Sequence, residues 1–393
     1  MSRKILVACG SALALATSVT AYAGTTGANA VGGGQSAKAK KNPCRAGHAV
    51  RPHFSNPIKL SGGAKTLSGA GATFPAPVYS VWTAEYAKQT GVQVAYQSIG
   101  SGGGVAQIQA QTVDFGQSDV PMTNDELDKA KGGKILHVPV TLGGVVPTYN
   151  LKDVKTRLRF DGETLGRIYG GQITKWNDPV LKKLNPGVNL PNKSIAVVHR
   201  SDGSGTTGIW TDYLRKTSKS WVKKLGGWYQ AYGKTVAWPV GIGGKGNEGV
   251  SGVVGQTDGA LGYVELAYAL GQHLQFGDVK NRAGNFVHAC VSTVSLAAAK
   301  GKYPTTLRTS LTNEPGDFAY PITGTSYALV YLNQTDKSKA VALIRFLSWT
   351  LTKGQDMSAQ LNYSPLGVSL WKKSMGQLYK IKVDGKPVVP QPK

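Results

Sequence analysis

The sequence predicts an α/β fold in two lobes, and three observations point to it. Strand and helix patterns alternate along the chain, its 393 residues exceed one ordinary core, and 41% of them are hydrophobic. The folded body is expected to begin near Leu67. Thr66 to Gly69 reads as a strand and Pro75 to Thr90 as a helix, with Val78, Trp82, Tyr86, Val81 and Ala84 on its apolar side. Val92 to Gln97 is a strand, Gly104 to Gln111 a helix, and Val113 to Asp119 a strand running out into a loop. Two further strands, Ile135 to Leu142 and Val145 to Tyr149, precede a helix over Leu165 to Tyr169 and a capped turn at Asp178-Pro179. Ala196 to His199 has the apolar run of a buried strand and leads into a helix over Gly208 to Arg215. Ala260 to Val264 and Pro321 to Leu332 read as strands, and Ala340 to Leu351 as an amphipathic helix. No internal repeat is evident.

The two ends differ from the body. Arg3 and Lys4, an apolar stretch from Ile5 to Val19 and Ala21-Tyr22-Ala23 have the order of an export signal, which sets residues 1–23 aside as a signal peptide. Ala28-Asn29-Ala30 offers a second cut. Leu6 to Cys9 has the lettering of a lipoprotein box, but the apolar stretch would lie after that cut, which argues against lipidation. No later segment nears the ~20 apolar residues of a membrane span, so an exported protein is expected, in the periplasm or on the outer face of the membrane. Residues 24–63, rich in Gly, Ala, Lys and Pro, read as a flexible linker, and 379–393 as a polar, Pro-rich tail. Cys44 and Cys290 remain after signal removal. An oxidising compartment favours a disulfide between them, two unrelated thiols being the alternative. The six histidines are scattered without metal-ligand spacing, so neither a metal nor a cofactor is expected.

A net charge of +24 raises nucleic acid as a partner. The basic residues are spread along the chain with no accompanying motif. They read instead as a solvated surface that can draw anions or hold the protein near an anionic envelope.

Three Gly/Ser/Thr-rich turns carry the chemistry. They are Gly71-Ala72-Thr73-Phe74-Pro75, Gly100-Ser101-Gly102-Gly103-Gly104 and Arg200-Ser201-Asp202-Gly203-Ser204-Gly205-Thr206-Thr207, each leading into a helix. Such a turn aims backbone N–H groups and hydroxyls outward at the positive end of a helix dipole, which suits a small anion. Taken singly, the bland alternatives are a plain capped helix for the first, a flexible linker for the second and a helix cap plus a surface salt bridge for the third. The third also holds Arg200, a fork of donors matched to an oxyanion, with Asp202 crowded onto the same strand-to-helix junction. Asp119 would be out of place beside an anion unless the anion carries a proton. Phosphate does and sulfate does not, so a carboxylate acceptor separates them. A loop-capping aspartate is the bland alternative.

At these turns the chain resembles the PstS family, the phosphate-binding subunits of bacterial phosphate ABC transporters. The resemblance rests on Leu67 to Tyr79, Tyr96 to Gly104, Thr112 to Asp119, Val197 to Thr206, Trp238 to Asn247, Gly262 to Glu265 and Pro321 to Thr323, and covers residues 66–375 in order. It implies a two-lobed periplasmic-binding-protein fold of the Venus-flytrap type (type II) with phosphate buried in the cleft. Carried over by position, phosphate contacts fall on Thr73, Phe74, Ser101, Asp119, Arg200, Ser204, Gly205 and Thr206, with Asp202 as a supporting partner of the arginine. Lobe I would combine 64–146 and 324–378, and lobe II would be 147–323, with crossings near Val146–Asn150 and Thr323–Thr325. The chain departs from the family at its long N-terminal segment, at Gly102 where many relatives carry serine, and over 275–310.

The leading expectation is therefore an exported receptor, a monomer, that binds inorganic phosphate and delivers it to the membrane permease subunits of an ABC transporter. A phosphate-ester hydrolase is the enzyme alternative. Ser101 and Ser204 lack a G-x-S-x-G setting or a placed histidine, and Lys245 is followed by glycine where a phosphate loop needs Ser or Thr. A basic envelope-adhesive or nucleic-acid-binding protein rests on charge alone.

Overall fold

Strands that end in glycine-rich turns and feed helices dominate the architecture, as the alternation requires. The computed structural model describes Pro43, Cys44, Phe54 and residues 57–390. The signal peptide, the candidate lipid site Cys9, most of the linker and the last three residues lie outside the described residues. Strand β1 (Thr66–Gly71) leads to helix α1 (Ala76–Thr90), β2 (Gln93–Ser98) to α2 (Ser101–Ala110), and β3 (Phe115–Ser118) to the short α3 (Asn124–Asp128). β1 lies between β2 and β3, parallel to both. The sheet continues antiparallel through the strand Ile322–Tyr331 to β4 (Ile135–Tyr149).

β4 changes partner along its length. It pairs with Ile322–Tyr331 over Ile135–Gly144, then with Ala260–Glu265 over Val145–Tyr149. Beyond it the strand Ala196–Arg200 runs parallel to both Ala260–Glu265 and Ile242–Gly244. The result is a two-lobed α/β fold with a mixed sheet. On one side Tyr79 stacks on Tyr96 at 4.3 Å and meets Trp82 edge-on at 5.4 Å. On the other, Trp210 stacks on Tyr263 at 4.9 Å and meets Tyr169 edge-on at 5.3 Å. All six rings except that of Tyr96 are fully buried.

Several expectations need correction. β4 is one strand, not two. Gly143, in the gap left between the two expected strands, faces the Phe74 ring and Glu265 Oε1 so closely that a Cβ would lie 2.6 Å and 2.9 Å from them. α2 begins at Ser101, so three of its glycines lie inside the helix. α1 buries Tyr79 and leaves Val81 and Ala84 exposed, because Val78, Tyr79, Trp82 and Tyr86 follow the helical period.

The described part of the linker is packed. Phe54 is buried and stacks on Trp371 at 4.6 Å, Ile58 N–H donates to Ser348 Oγ, and Ala64 N–H donates to the Ser338 carbonyl. The tail forms a hairpin, Lys382–Val383 against Lys386–Pro387, with Ile381 and Val389 buried. Composition reported the polarity of both segments but not the few apolar anchors that dock them. Cys44 and Cys290 form a disulfide, tying the N-terminal segment to the start of the helix Val291–Ala298. Among the described residues no helix is long and apolar enough to cross a membrane.

Candidate functional site

The parallel strands point their carboxyl ends at one place. β1 ends at Gly71, β2 at Ser98, β3 at Ser118 and Ala196–Arg200 at Arg200, and each of the three turns follows such an end. Crevices at these ends are the usual ligand sites of open α/β sheets. Ser204 caps the helix Gly205–Thr217 by accepting from Thr207 N–H at 3.1 Å, which leaves the first N–H groups of that helix aimed at the crevice.

The turns meet directly. Gly102 N–H donates to the Gly203 carbonyl at 2.8 Å, joining the second turn to the third. Gly205 lies so near the second turn that an added Cβ would strike Ser101 Oγ and the Asp119 carboxylate, so only glycine fits there. Gly100, with φ of +83°, sits as tightly against Asp202. Asn247, which opens the helix Gly246–Gln256, connects the first turn to the third. Its Nδ2 donates to Thr73 Oγ1 at 2.8 Å and to Thr206 Oγ1 at 3.3 Å. Thr73, Phe74, Ser101, Asp119, Arg200, Ser204, Gly205 and Thr206 are thus gathered in one region, all of them buried.

Charge is arranged asymmetrically. Arg200 Nε and Nη2 make a bidentate pair with Asp202 at 2.7 and 2.6 Å. Burial pushes the Asp202 carboxyl up, but the two Arg200 bonds, the guanidinium charge and the Gly246 N–H outweigh it and hold the group below its ordinary range. Arg200 Nη1 is buried without any hydrogen-bond partner among the described residues. A buried guanidinium nitrogen left unpaired costs several kcal/mol, roughly, unless a ligand occupies it.

Asp119 has no arginine fork. Burial pushes its carboxyl up to about 7, against the Ser326 hydrogen bond, the Arg200 charge and the Ser101 hydrogen bond, which favour ionisation. Ser326 Oγ donates to Asp119 Oδ1 at 2.6 Å and accepts from Gln117 Nε2 at 2.8 Å, and Gln117 Oε1 accepts from the Tyr79 hydroxyl. This chain of bonds fixes the carboxylate from behind. Ser101 Oγ faces Oδ2 at 3.3 Å.

Sequence reasoning missed Asn247, Ser326 and Gln117. Asn247 ended a loop weighed as a phosphate loop and set aside for its Lys-Gly pair. The signal lay in the asparagine at the mouth of the next helix. Ser326 sits in a fully buried strand beside Thr323, Thr325 and Tyr327, and a run of buried hydroxyls in a strand of unbroken burial was the signal for polar partners. Among the described residues no group of His, Cys, Asp and Glu could hold a metal ion.

Comparison with known proteins gives a consistent result. A family model described as "PBP superfamily domain" matches residues 57–353. The chain is 43% identical over 317 residues to the phosphate-binding protein PstS of Pasteurella multocida, covering 80% of this chain and 90% of that protein. It is 42% identical over 324 residues to the phosphate-binding protein PstS of Haemophilus influenzae, covering 80% and 95% respectively. The crystal structure of a phosphate-binding protein from Stenotrophomonas maltophilia shares the fold with a TM-score of 0.61 at 17% identity, covering 80% of this chain and 94% of that one.

Proposed function

Because the chain belongs to the phosphate-binding proteins PstS within the PBP superfamily, we propose that it is an extracytoplasmic receptor that binds inorganic phosphate and hands it to an ABC-transporter permease. The observation that carries this reading is the unpaired Nη1 of Arg200, buried on the turn that leads into the helix Gly205–Thr217, with the guanidinium charge close enough to act on Asp119. Those donors call for an anion, and the carboxylate calls for one that still has a proton.

Phosphate contacts are assigned to Thr73, Phe74, Ser101, Asp119, Arg200, Ser204, Gly205 and Thr206. Arg200 and the N–H groups at the start of Gly205–Thr217 neutralise the oxyanion, and Thr73, Ser101, Ser204 and Thr206 add hydroxyls. Asp119 titrates near the pH at which phosphate exchanges its second proton, so one proton suffices for the pair and lies between them. Above the pH at which Asp119 releases its proton, a sulfate in the same place leaves two acceptors facing each other with no hydrogen.

Lobe I is assigned to 64–146 with 324–378 and lobe II to 147–323. The change of strand partner on β4 between Gly144 and Val145 supports a crossing there. Opening about it would separate Thr73, Ser101 and Asp119 from Arg200 and Thr206, admit water and release the anion. The net charge of +24 raises the local anion concentration.

The test is isothermal titration of protein freed of ligand by unfolding and refolding. Micromolar or tighter binding of inorganic phosphate is expected, and no heat of binding from a correctly refolded protein would overturn the proposal. Phosphate uptake by cells lacking the gene examines delivery separately.

A further inference from the structure

Asn247 is fully buried, and its orientation is fixed by a neighbour that can only donate. The Glu265 backbone N–H points at the side-chain oxygen of Asn247 at 3.0 Å, so that atom is Oδ1 and the amide nitrogen must face the other way. There its two hydrogens go to two different hydroxyls, Thr73 Oγ1 and Thr206 Oγ1. Thr73 Oγ1 also receives the Asn247 backbone N–H at 3.2 Å, so both of its lone pairs are engaged.

A hydroxyl offers one hydrogen and two acceptor lone pairs. With its lone pairs taken, Thr73 can act on a ligand only as a donor, and Thr206 is biased the same way. Neither hydroxyl donates to another group among the described residues. We propose that Asn247 is a positioning residue that turns two ambivalent hydroxyls into committed donors, so that the site favours an acceptor-rich oxyanion over water or a neutral polyol. The proposal rests on the phosphate-site reading above and adds what sets the polarity of its hydroxyls.

The role differs from that of a simple clasp between turns. An aspartate of the same shape would still bridge Thr73 and Thr206, but by accepting from both, which turns their hydrogens away from the anion. A leucine would fill the space and leave both hydroxyls free to rotate. A clasp predicts that Asn247→Asp resembles the parent and that Asn247→Leu is worse. Donor orientation predicts the reverse order.

Phosphate titrations at pH 5.5 to 8.5 would compare the parent with Asn247→Asp, Asn247→Leu, Thr206→Val and the Asn247→Leu/Thr206→Val double variant. Thermal unfolding of each ligand-free protein verifies folding, and Asn247→Ser serves if a larger change does not fold. Affinity should fall about tenfold for Asn247→Leu and about a hundredfold for Asn247→Asp, following the cost of one misdirected hydrogen bond against several. The Asp loss, taken as a ratio to the parent, should shrink as the pH falls and the new carboxylate takes up a proton. The double variant should bind better than the product of its single losses predicts.

Asn247→Asp within threefold of the parent at pH 8, or strictly additive losses in the double variant, would overturn the inference. Absence of phosphate binding by the parent would instead remove the site reading beneath it.

Discussion

The two walls of the site each present an aspartate, and their surroundings shift the two carboxyls in opposite directions. On the wall from β3, Asp119 is enclosed with only hydroxyls for hydrogen-bond partners, and burial lifts it to about 7. On the wall that follows Ala196–Arg200, Asp202 takes both arms of Arg200 and stays below the ordinary range. The chemical group is the same and the environment decides its role. Asp202 is a counter-charge bound to both arms of the guanidinium, whereas Asp119 has no cation among its hydrogen-bond partners, which is what the proposed sharing of a proton with the anion requires.

The comparison breaks most directly at Arg200. Arg200→Ala should lower phosphate affinity about a thousandfold, since it removes the buried cation and leaves Asp202 unpaired. Near-UV circular dichroism should stay unchanged, and titration gives the affinity.

The raised pKa of Asp119 has a signed consequence for stability. Its folded value lies above the unfolded value, so the folded state holds a proton that the unfolded state has already released. The stability tied to that proton is fully present below pH ~4 and is lost as pH rises through about 7. Ligand-free protein should lose about 3 kcal/mol from this group between pH 5 and 8, and Asp119→Asn should lack that part of the slope in urea unfolding. Asp202 acts with the opposite sign, since its lowered value adds stability that disappears only as pH falls through the acid range.

Asp202→Asn sharpens the contrast at smaller cost. The fork on Arg200 is weakened but not emptied, so phosphate affinity should drop about tenfold with the pH profile unmoved. Ser326→Ala is the mildest change. It removes a bond that favours ionised Asp119, so the carboxyl should titrate still higher and affinity at pH 8 should fall about threefold, less at pH 6. A phosphate titration series across pH reads both.

The part of this arrangement visible in the sequence follows a physical pattern. Turns are local, so Gly71–Pro75, Gly100–Gly104 and Arg200–Thr207 could be read from residue type, and strand-to-helix alternation placed them at strand ends. The arginine and the odd carboxylate were legible because each conflicts with a bland setting. Residues that act through tertiary contact were not. Asn247 and Ser326 lie 174 and 207 positions from Thr73 and Asp119, so their own neighbourhoods can mark them as polar groups in need of a partner but cannot say which residue they meet. The docking of Phe54 on Trp371 escaped for the same reason, because one ring in a polar stretch does not alter its average composition.

The central claim, that Asp119 reads a proton on the ligand, is tested most directly by the ratio of phosphate to sulfate affinity in the parent and in Asp119→Asn. At pH 8.5, where Asp119 is ionised, the account predicts a parent ratio of about 10⁴ or more, collapsing in Asp119→Asn because an amide can donate to a fully deprotonated oxygen. Equal phosphate and sulfate affinity in the parent, or an unchanged ratio in Asp119→Asn, would contradict it.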